Sequence, residues 1–376
     1  MSLRHLQLAD FRIFAAAELE PDPDGTTVIT GPNGAGKTSF LEAVAYLGLQ
    51  RSFRTASREA MIRNGAERAI VRAELDQGDR AVLVEAEISA GGRSRTQVNR
   101  QPARSRRETA DAVPVTVFSP EDLAVVQGGP VHRRDLVDDA LRLLDRTAAG
   151  ALDDVDRILR QRTALLRQAG GRLTADVETT LEVWDDRLAT AGSAVAAARS
   201  ALVDALRPAA AEAYGALAGA GGPAPRPGSP SSPGFSVTYR RSWAGDLGPA
   251  LRAARTDDLR RGVTTVGPHR DDLQLELAGR DARVQASQGE QRCVALGLRL
   301  AIHQLVTDRS ETAPILLLDD VFSELDPDRS RALLRQLPPG QTLLTTAVPL
   351  PLGVDVAAVV EVPAGGRPPK EEVTAS

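Results

Sequence analysis

Alternation of apolar and polar residues at 3–8, 15–19 and 26–30 predicts three strands, after which the period changes. Phe40, Leu41, Val44, Ala45 and Leu47 recur at helical spacing, so a strand, a glycine-rich loop and a helix follow one another. Residues 68–89 read as two alternating strands about the turn Asp76-Gln77-Gly78-Asp79, and 113–118 as a buried strand that stops at Ser119-Pro120. The texture then becomes helical. Leu141, Leu144, Ala148, Leu152, Val155 and Leu159 step by threes and fours, as do Leu181, Trp184, Leu188, Ala191, Val195, Ala198 and Leu202, with a break at Gln168-Ala169-Gly170-Gly171. Two antiparallel helices of a few turns each are predicted, too short for an extended coiled-coil arm. A Gly-, Pro- and Ser-rich stretch at 219–234 predicts a linker. Strand pattern returns at 235–240 and 272–277, a helix begins near Gly289, 315–320 is a buried strand bounded by Pro314, and the tail past Pro363 reads as disordered.

At 376 residues, one compact domain is not expected, because single cores stop growing near ~250–300 residues. Apolar residues at 42% and charged residues at 26% describe a folded globular chain. No apolar run approaches the ~20 residues a spanning helix needs, and the first residues lack an apolar signal core, so a cytoplasmic protein with no membrane partner is expected. The single cysteine, Cys293, excludes an internal disulfide or a cysteine-rich metal site and reads as a small buried apolar residue. Net charge is −4, so any nucleic-acid contact must come from a local basic patch. Among 46 basic residues only Lys37 and Lys370 are lysines, the mark of a GC-rich genome. Lys37 thus stands where a compact ammonium fits between phosphates and a guanidinium fork does not.

GPNGAGKT, residues 31–38, fits the phosphate-loop pattern in full and lies between a predicted strand and helix. Backbone N–H groups of Gly31, Pro32–Ser39 excluding the proline, would cradle a phosphate with the helix dipole behind them, Lys37 would bridge the terminal phosphates and Thr38 would offer a hydroxyl to Mg²⁺. The candidate loop therefore comprises Gly31, Pro32, Asn33, Gly34, Ala35, Gly36, Lys37, Thr38 and Ser39. ILLLDD at 315–320 reads as the strand that delivers Asp319 to the same Mg²⁺, with Asp320 next to it able to orient or deprotonate a water; Ser323-Glu324-Leu325-Asp326 and a helix starting at Pro327 follow. Ser287-Gln288-Gly289-Glu290-Gln291 heads an apolar helix and would give a second anion site through Ser287, Gly289 and Glu290. It also fits an ordinary helix cap, with Ser287 capping and Glu290 at the third position. Its place ahead of 315–326 points to an ABC-type ATPase.

With these motifs the sequence resembles the RecF family of bacterial repair ATPases, related to the heads of SMC proteins. Phe11-Arg12, Ser52-Phe53-Arg54, PEDLAVVQGGPVHRRDLVD at 120–138, GPHRDDL at 267–273 and DDVFSELD at 319–326 carry the likeness, which fades in the helical insertion. The resemblance implies an α/β fold, an ABC-type P-loop head of mixed sheet and helices plus an inserted, mainly helical domain. The expected division is 1–119 and 263–362 for the head, 120–262 for the insertion and 363–376 for the tail. It further implies ATP and Mg²⁺ as cofactors, an ATP-dependent homodimer on single-strand or duplex DNA, gaps or junctions, the RecR and RecO mediators as partners, and recombinase loading in repair and replication restart. Alternatives are a DNA-binding scaffold with structural ATP, or a transporter's nucleotide-binding subunit. Three departures from the ABC pattern predict slow hydrolysis. Asp320 stands for the usual glutamate, the signature reads Ala286-Ser287-Gln288-Gly289-Glu290, and no histidine follows the strand at 342–346.

For DNA the densest basic stretch holds Arg93, Arg95, Arg100, Arg104, Arg106 and Arg107 with no acid before Glu108. Such density suits phosphate contacts, and equally a solvated hairpin in an arginine-biased proteome. The histidines His5, His132, His269 and His303 lack metal spacing, and none is assigned as a ligand. His269 and Arg270 are expected near the nucleotide, between two lobes, or in plain structure.

Overall fold

The computed structural model of the protein describes residues 1–54, 57–78, 80–219, 234–309, 313–337, 340–347, 350 and 356–364. Asp79 of the expected turn, the core of the expected linker at 220–233 and the tail from 365 lie outside the described residues. In chain order the elements are β1 (Ser2–Phe11), β2 (Phe14–Leu19), β3 (Thr26–Thr30), α1 (Lys37–Leu49), β4 (Arg68–Gln77), β5 (Arg80–Ser89), β6 (Arg95–Val98), β7 (Gln101–Pro102), α2 (Arg106–Ala112), β8 (Val115–Phe118), α3 (Leu123–Gln127), α4 (Pro130–Leu144), α5 (Arg146–Ala169), α6 (Ala175–Gly219), β9 (Phe235–Arg240), α7 (Leu247–Arg261), β10 (Asp272–Leu277), β11 (Arg280–Asp281), α8 (Ala282–Gln285), α9 (Gln288–Arg309), β12 (Ile315–Asp319), α10 (Pro327–Gln336), β13 (Thr342–Thr345) and β14 (Ala358–Glu361). They form two compact units, the first from Met1–Leu123, Glu212–Ser232 and Arg292–Ser376, the second from Ala124–Ala211 and Pro233–Gln291.

In the first unit an antiparallel sheet, β2-β1-β4-β5-β6-β7, and a parallel sheet, β14-β3-β13-β12-β8, share one core with α1. Alternation sets the antiparallel sheet. Ala69, Val71, Ala73 and Leu75 of β4 and Val82, Val84, Ala86 and Ile88 of β5 are buried, while the other face carries pairs such as Arg72 with Glu85. Helix α1 is buried from Ser39 to Gly48 on every side, more than the predicted amphipathic stripe, because apolar residues of both sheets join its core. Burying Leu41 there is worth ~2 kcal/mol, and Leu41→Ala would cost ~2–5 kcal/mol with the cavity it leaves. At Gly48 an added Cβ would lie 2.3 Å from the Val113 carbonyl oxygen, so only glycine lets α1 approach that chain. The buried Gln341 acts as a backbone surrogate. Its Oε1 accepts from Leu3 N at 2.7 Å, and its Nε2 donates to the carbonyls of Leu3 and Asp22, both at 2.8 Å.

The second unit packs α4, α5, α7 and most of α6, as far as Ala211, with the small sheet β11-β10-β9. Arg162 of α5, fully buried, donates to Asp185 of α6 at 3.0 Å, to Asp258 of α7 at 2.6 Å and to Thr264 at 2.9 Å. Arg255 reaches the same Asp185 at 2.8 Å. Losing one partner of such a set leaves an uncompensated buried charge, a cost of ~3–5 kcal/mol.

Three expectations change. The pattern from Leu141 to Leu159 is two helices, because Asp145 leaves helical geometry and its side chain caps α5, accepting from Thr147 N and Ala148 N at 2.8 and 3.0 Å. The second predicted helix is no matter of a few turns. Helix α6 has 45 residues and runs through Pro208, since Val203, Leu206, Ala210, Ala213, Tyr214 and Leu217 continue the buried stripe past Leu202. Residues 263–291, expected with the head, belong to the second unit, where β10 pairs with β9 along its whole length.

Candidate functional site

Parallel pairing fixes the site. Asp319, at the end of β12, pairs in register with Thr345 of β13, which pairs with Ile29 of β3, so three strand ends converge where the chain leaves β3 for the glycine loop. In that loop Gly31, Gly34 and Gly36 have φ of 138°, 80° and 100°, a region closed to most side chains. A Cβ on Gly36 would meet the Phe14 ring at 2.5 Å, so the β1–β2 corner packs directly on the loop. Pro32, Asn33 and Gly34 are exposed, whereas Lys37 is buried and folds its Nζ onto the carbonyls of Gly31 at 2.8 Å and Pro32 at 3.1 Å. The first-turn N–H groups of Lys37 and Thr38 have no intrahelical acceptor. An ammonium resting on carbonyls beside a helix N-terminus suits an incoming polyphosphate.

Thr38 Oγ1 and Thr345 Oγ1 both donate to Asp319 Oδ1 at 2.7 Å. Burial raises the Asp319 carboxyl above its ordinary range, while the two hydroxyls and the Arg54 guanidinium pull it back. Glu121, just past β8, is raised as well, first by burial and next by the charge of Asp319. Carboxylates that repel one another beside hydroxyl oxygens form a hard-oxygen set that a divalent cation relieves, so Mg²⁺ fits here. Asp320 follows in a left-handed conformation, φ 47°, its backbone N–H held by the carbonyl and hydroxyl of Thr345 at 3.1 Å each. Its Oδ1 is buried with no hydrogen-bond partner among the described residues. A strained, unsatisfied carboxylate next to a metal-type aspartate suits water activation more than stability.

Sequence reasoning selected Lys37, Thr38, Asp319 and Asp320, and the structure brings all four to one place. Arg54 and Glu121 lay in the family-like segments but were given no role, and Thr345 was not singled out; only the tertiary register places them. No histidine follows β13; the buried Thr346 and then Ala347 come next.

In the second unit the cap reading of Ser287 is realised. Ser287 N and Oγ both donate to Glu290 Oε2 at 2.7 Å, on an exposed face that also shows Gln288. His269 Nε2 and the Arg270 guanidinium both meet the Thr264 carbonyl, at 2.9 and 3.0 Å, so their place is structural and within this unit. Arg133 is a buried fork on Asp272, at 2.7 and 3.0 Å.

The arginine stretch divides. Arg93, Arg95, Arg100, Arg104 and Arg106 are exposed on β6, its hairpin turn and the start of α2, whereas Arg107 is partly covered and paired with Asp111 at 2.6 Å. Burial raises the pKa of the nearby Tyr46 hydroxyl, against a Ser94 hydrogen bond and the charges of Arg58 and Arg106.

Among the described residues no helix is long and apolar enough to cross a membrane. Residues 2–343 match the family described as RecF/RecN/SMC N terminal domain. The chain is similar to the DNA replication and repair protein RecF of Streptomyces avermitilis, with 43% identity over 354 residues that cover 92% of this chain and 93% of the relative. It is likewise similar to that of Frankia alni, 41% over 362 residues, with the same two coverages. Among solved structures, the recombination mediator RecF-ATP of the RecFOR pathway matches with TM-score 0.84 at 26% identity, over 97% of this chain and 96% of that one. An Smc head bound to the C-winged helix domain of ScpA matches with TM-score 0.53 at 16% identity, over 96% and 94% of the two chains, and shares the fold.

Proposed function

This chain belongs to the RecF family, and from that premise we propose that it is a DNA-repair ATPase that binds ATP with Mg²⁺ at residues 31–39, dimerises while ATP is bound, and holds DNA in that state. The single observation that carries the reading is the Thr38–Asp319 hydrogen bond, because it joins the loop hydroxyl to the strand-end carboxylate at the place both would share a cation. Lys37 leaves its two carbonyls to neutralise the terminal phosphates, and the N–H groups at the start of α1 hold the rest of the chain of phosphates. Thr38 and Asp319 hold the Mg²⁺, which when bound supplies Lewis-acid polarisation of the phosphoryl oxygens. Asp320 orients the attacking water. An aspartate there, with no histidine after the strand β13, supports slow turnover and therefore a switch with a long ATP-bound phase.

Ser287 and Gly289, with Glu290, act on the ATP held by a second copy, so the dimer needs the γ-phosphate. The exposed arginines of β6 and α2 contact DNA phosphates without reading sequence. The pathway named for the solved relatives supports RecR and RecO as mediators; action at gaps and junctions, recombinase loading and a cytoplasmic location belong to the same proposal. Lys37→Met tests the nucleotide site. ATP affinity should fall at least ~100-fold and turnover vanish with the fold intact; turnover at the parental rate would overturn the assignment.

A further inference from the structure

Of the three strands that end beside the glycine loop, the middle one closes on Thr345, a residue to which the reading above gives no task. Thr345 is 1% exposed, and parallel register fixes it between Asp319 of β12 and Ile29 of β3. Its hydroxyl has one proton to give and lone pairs with which to accept. The proton goes to Asp319 Oδ1 at 2.7 Å, while the oxygen accepts from the Asp320 N–H at 3.1 Å. The Thr345 carbonyl accepts from that same N–H, also at 3.1 Å. One residue therefore holds both aspartates of the site.

Asp320 depends on such a hold. A non-glycine residue at φ 47° keeps that conformation only where its surroundings enforce it. The bond to the Thr345 carbonyl is the one an extended strand would make, and the hydroxyl is a second acceptor at the point where the chain leaves the strand. On the other side the Asp320 carbonyl accepts from the Ser323 hydroxyl at 2.8 Å. The carboxylate itself is untied at Oδ1, which is buried with no hydrogen-bond partner among the described residues. Its direction is thus set by the backbone beneath it, and that backbone is set in turn by Thr345. Asp319 is less dependent, because Thr38 gives it a second hydroxyl at 2.7 Å.

We infer that Thr345 is a positioning residue for hydrolysis, which aims the Asp320 carboxylate at the attacking water and so governs how fast bound ATP is consumed rather than how tightly it is held. The inference rests on the nucleotide reading above. Single-turnover hydrolysis, and affinity for a slowly hydrolysed ATP analogue with Mg²⁺, test it in the wild type, Thr345→Val, Thr345→Ser, Asp320→Asn and the Thr345→Val/Asp320→Asn double variant. Thr345→Val should slow hydrolysis about tenfold with affinity kept within about threefold, and Thr345→Ser, which returns the hydroxyl, should restore most of the rate. The double variant should be no slower than Asp320→Asn alone, because Thr345 acts through Asp320. Parental turnover in Thr345→Val, a loss of affinity as large as the loss of rate, a serine variant as slow as the valine one, or losses that multiply in the double variant would each overturn the inference. Should Thr345→Val fail to fold, Thr345→Ala carries the same expectations and the same contradictions. A wild type that binds no ATP, or binds it and never hydrolyses it, would instead sink the reading above and the inference with it.

Discussion

Thr38 and Asp319 stand 281 positions apart in the chain and 2.7 Å apart through the Thr38 hydroxyl and an Asp319 carboxylate oxygen. The bond exists because α1 starts at the end of β3 and β12 ends one strand away, across β13. A site assembled from strand ends in this way is set by the core. Changes to its chemistry can therefore be made without loss of the fold.

Asp320 offers the cleanest such change. Asp320→Asn keeps Asp319, keeps the shape and removes the charge of a buried oxygen that has no hydrogen-bond partner among the described residues. Turnover should fall at least tenfold and the ATP-bound state should accumulate, with melting temperature unchanged or raised. Single-turnover kinetics beside a thermal melt check both halves; unimpaired turnover would show that another group handles the water.

The arginine face is tested by salt. Arg93, Arg104 and Arg106 changed together to Ala should weaken DNA binding alike for all sequences, and the log–log salt slope should become shallower by roughly 0.9 per contact, about 2.7 in all. Arg107→Ala, at the residue paired with Asp111, should barely move it. A triple variant with the parental slope would return the stretch to a solvated hairpin.

His303 gives a pH dependence. Its ring lies edge-on to Phe118, buried, and burial takes its pKa from 6.5 down to about 4. Between those values the unfolded chain binds a proton that the folded chain refuses, so the contribution is whole above pH 6.5 and is lost as pH falls toward 4, by about 3 kcal/mol in total. His303→Leu should flatten that part of the stability profile in denaturant titrations from pH 7 to 4; an unchanged slope would place the acid sensitivity elsewhere.

Much of this was legible before any coordinates, for a physical reason. Lys37, Thr38, Asp319 and Asp320 belong to segments whose chemistry is local, a glycine loop before a helix and a carboxylate pair after an apolar strand, and local chemistry leaves its mark in adjacent letters. Arg54, Glu121 and Thr345 act through parallel register and packing, which join residues far apart in the chain, so no short pattern announces them. The helical insertion was misread for a related cause. Periodicity marks a buried stripe but not the cap at Asp145 that divides one helix from the next, nor the continuation of α6 through Pro208. His269 and Arg270 look like chemistry in the letters and prove to be ties to the Thr264 carbonyl.

The central claim is that the γ-phosphate closes a dimer. Sedimentation of the full chain with ATP, with ADP and without nucleotide, repeated for Ser287→Arg, tests it most directly. Ser287 sits on an exposed face, and among the described residues its hydroxyl bonds with Glu290, so the substitution should leave ATP binding by the monomer nearly untouched. The expected result is a dimer with ATP alone, lost in Ser287→Arg. A dimer that forms equally with ADP or without nucleotide, or a Ser287→Arg protein that dimerises normally with ATP, would contradict the account.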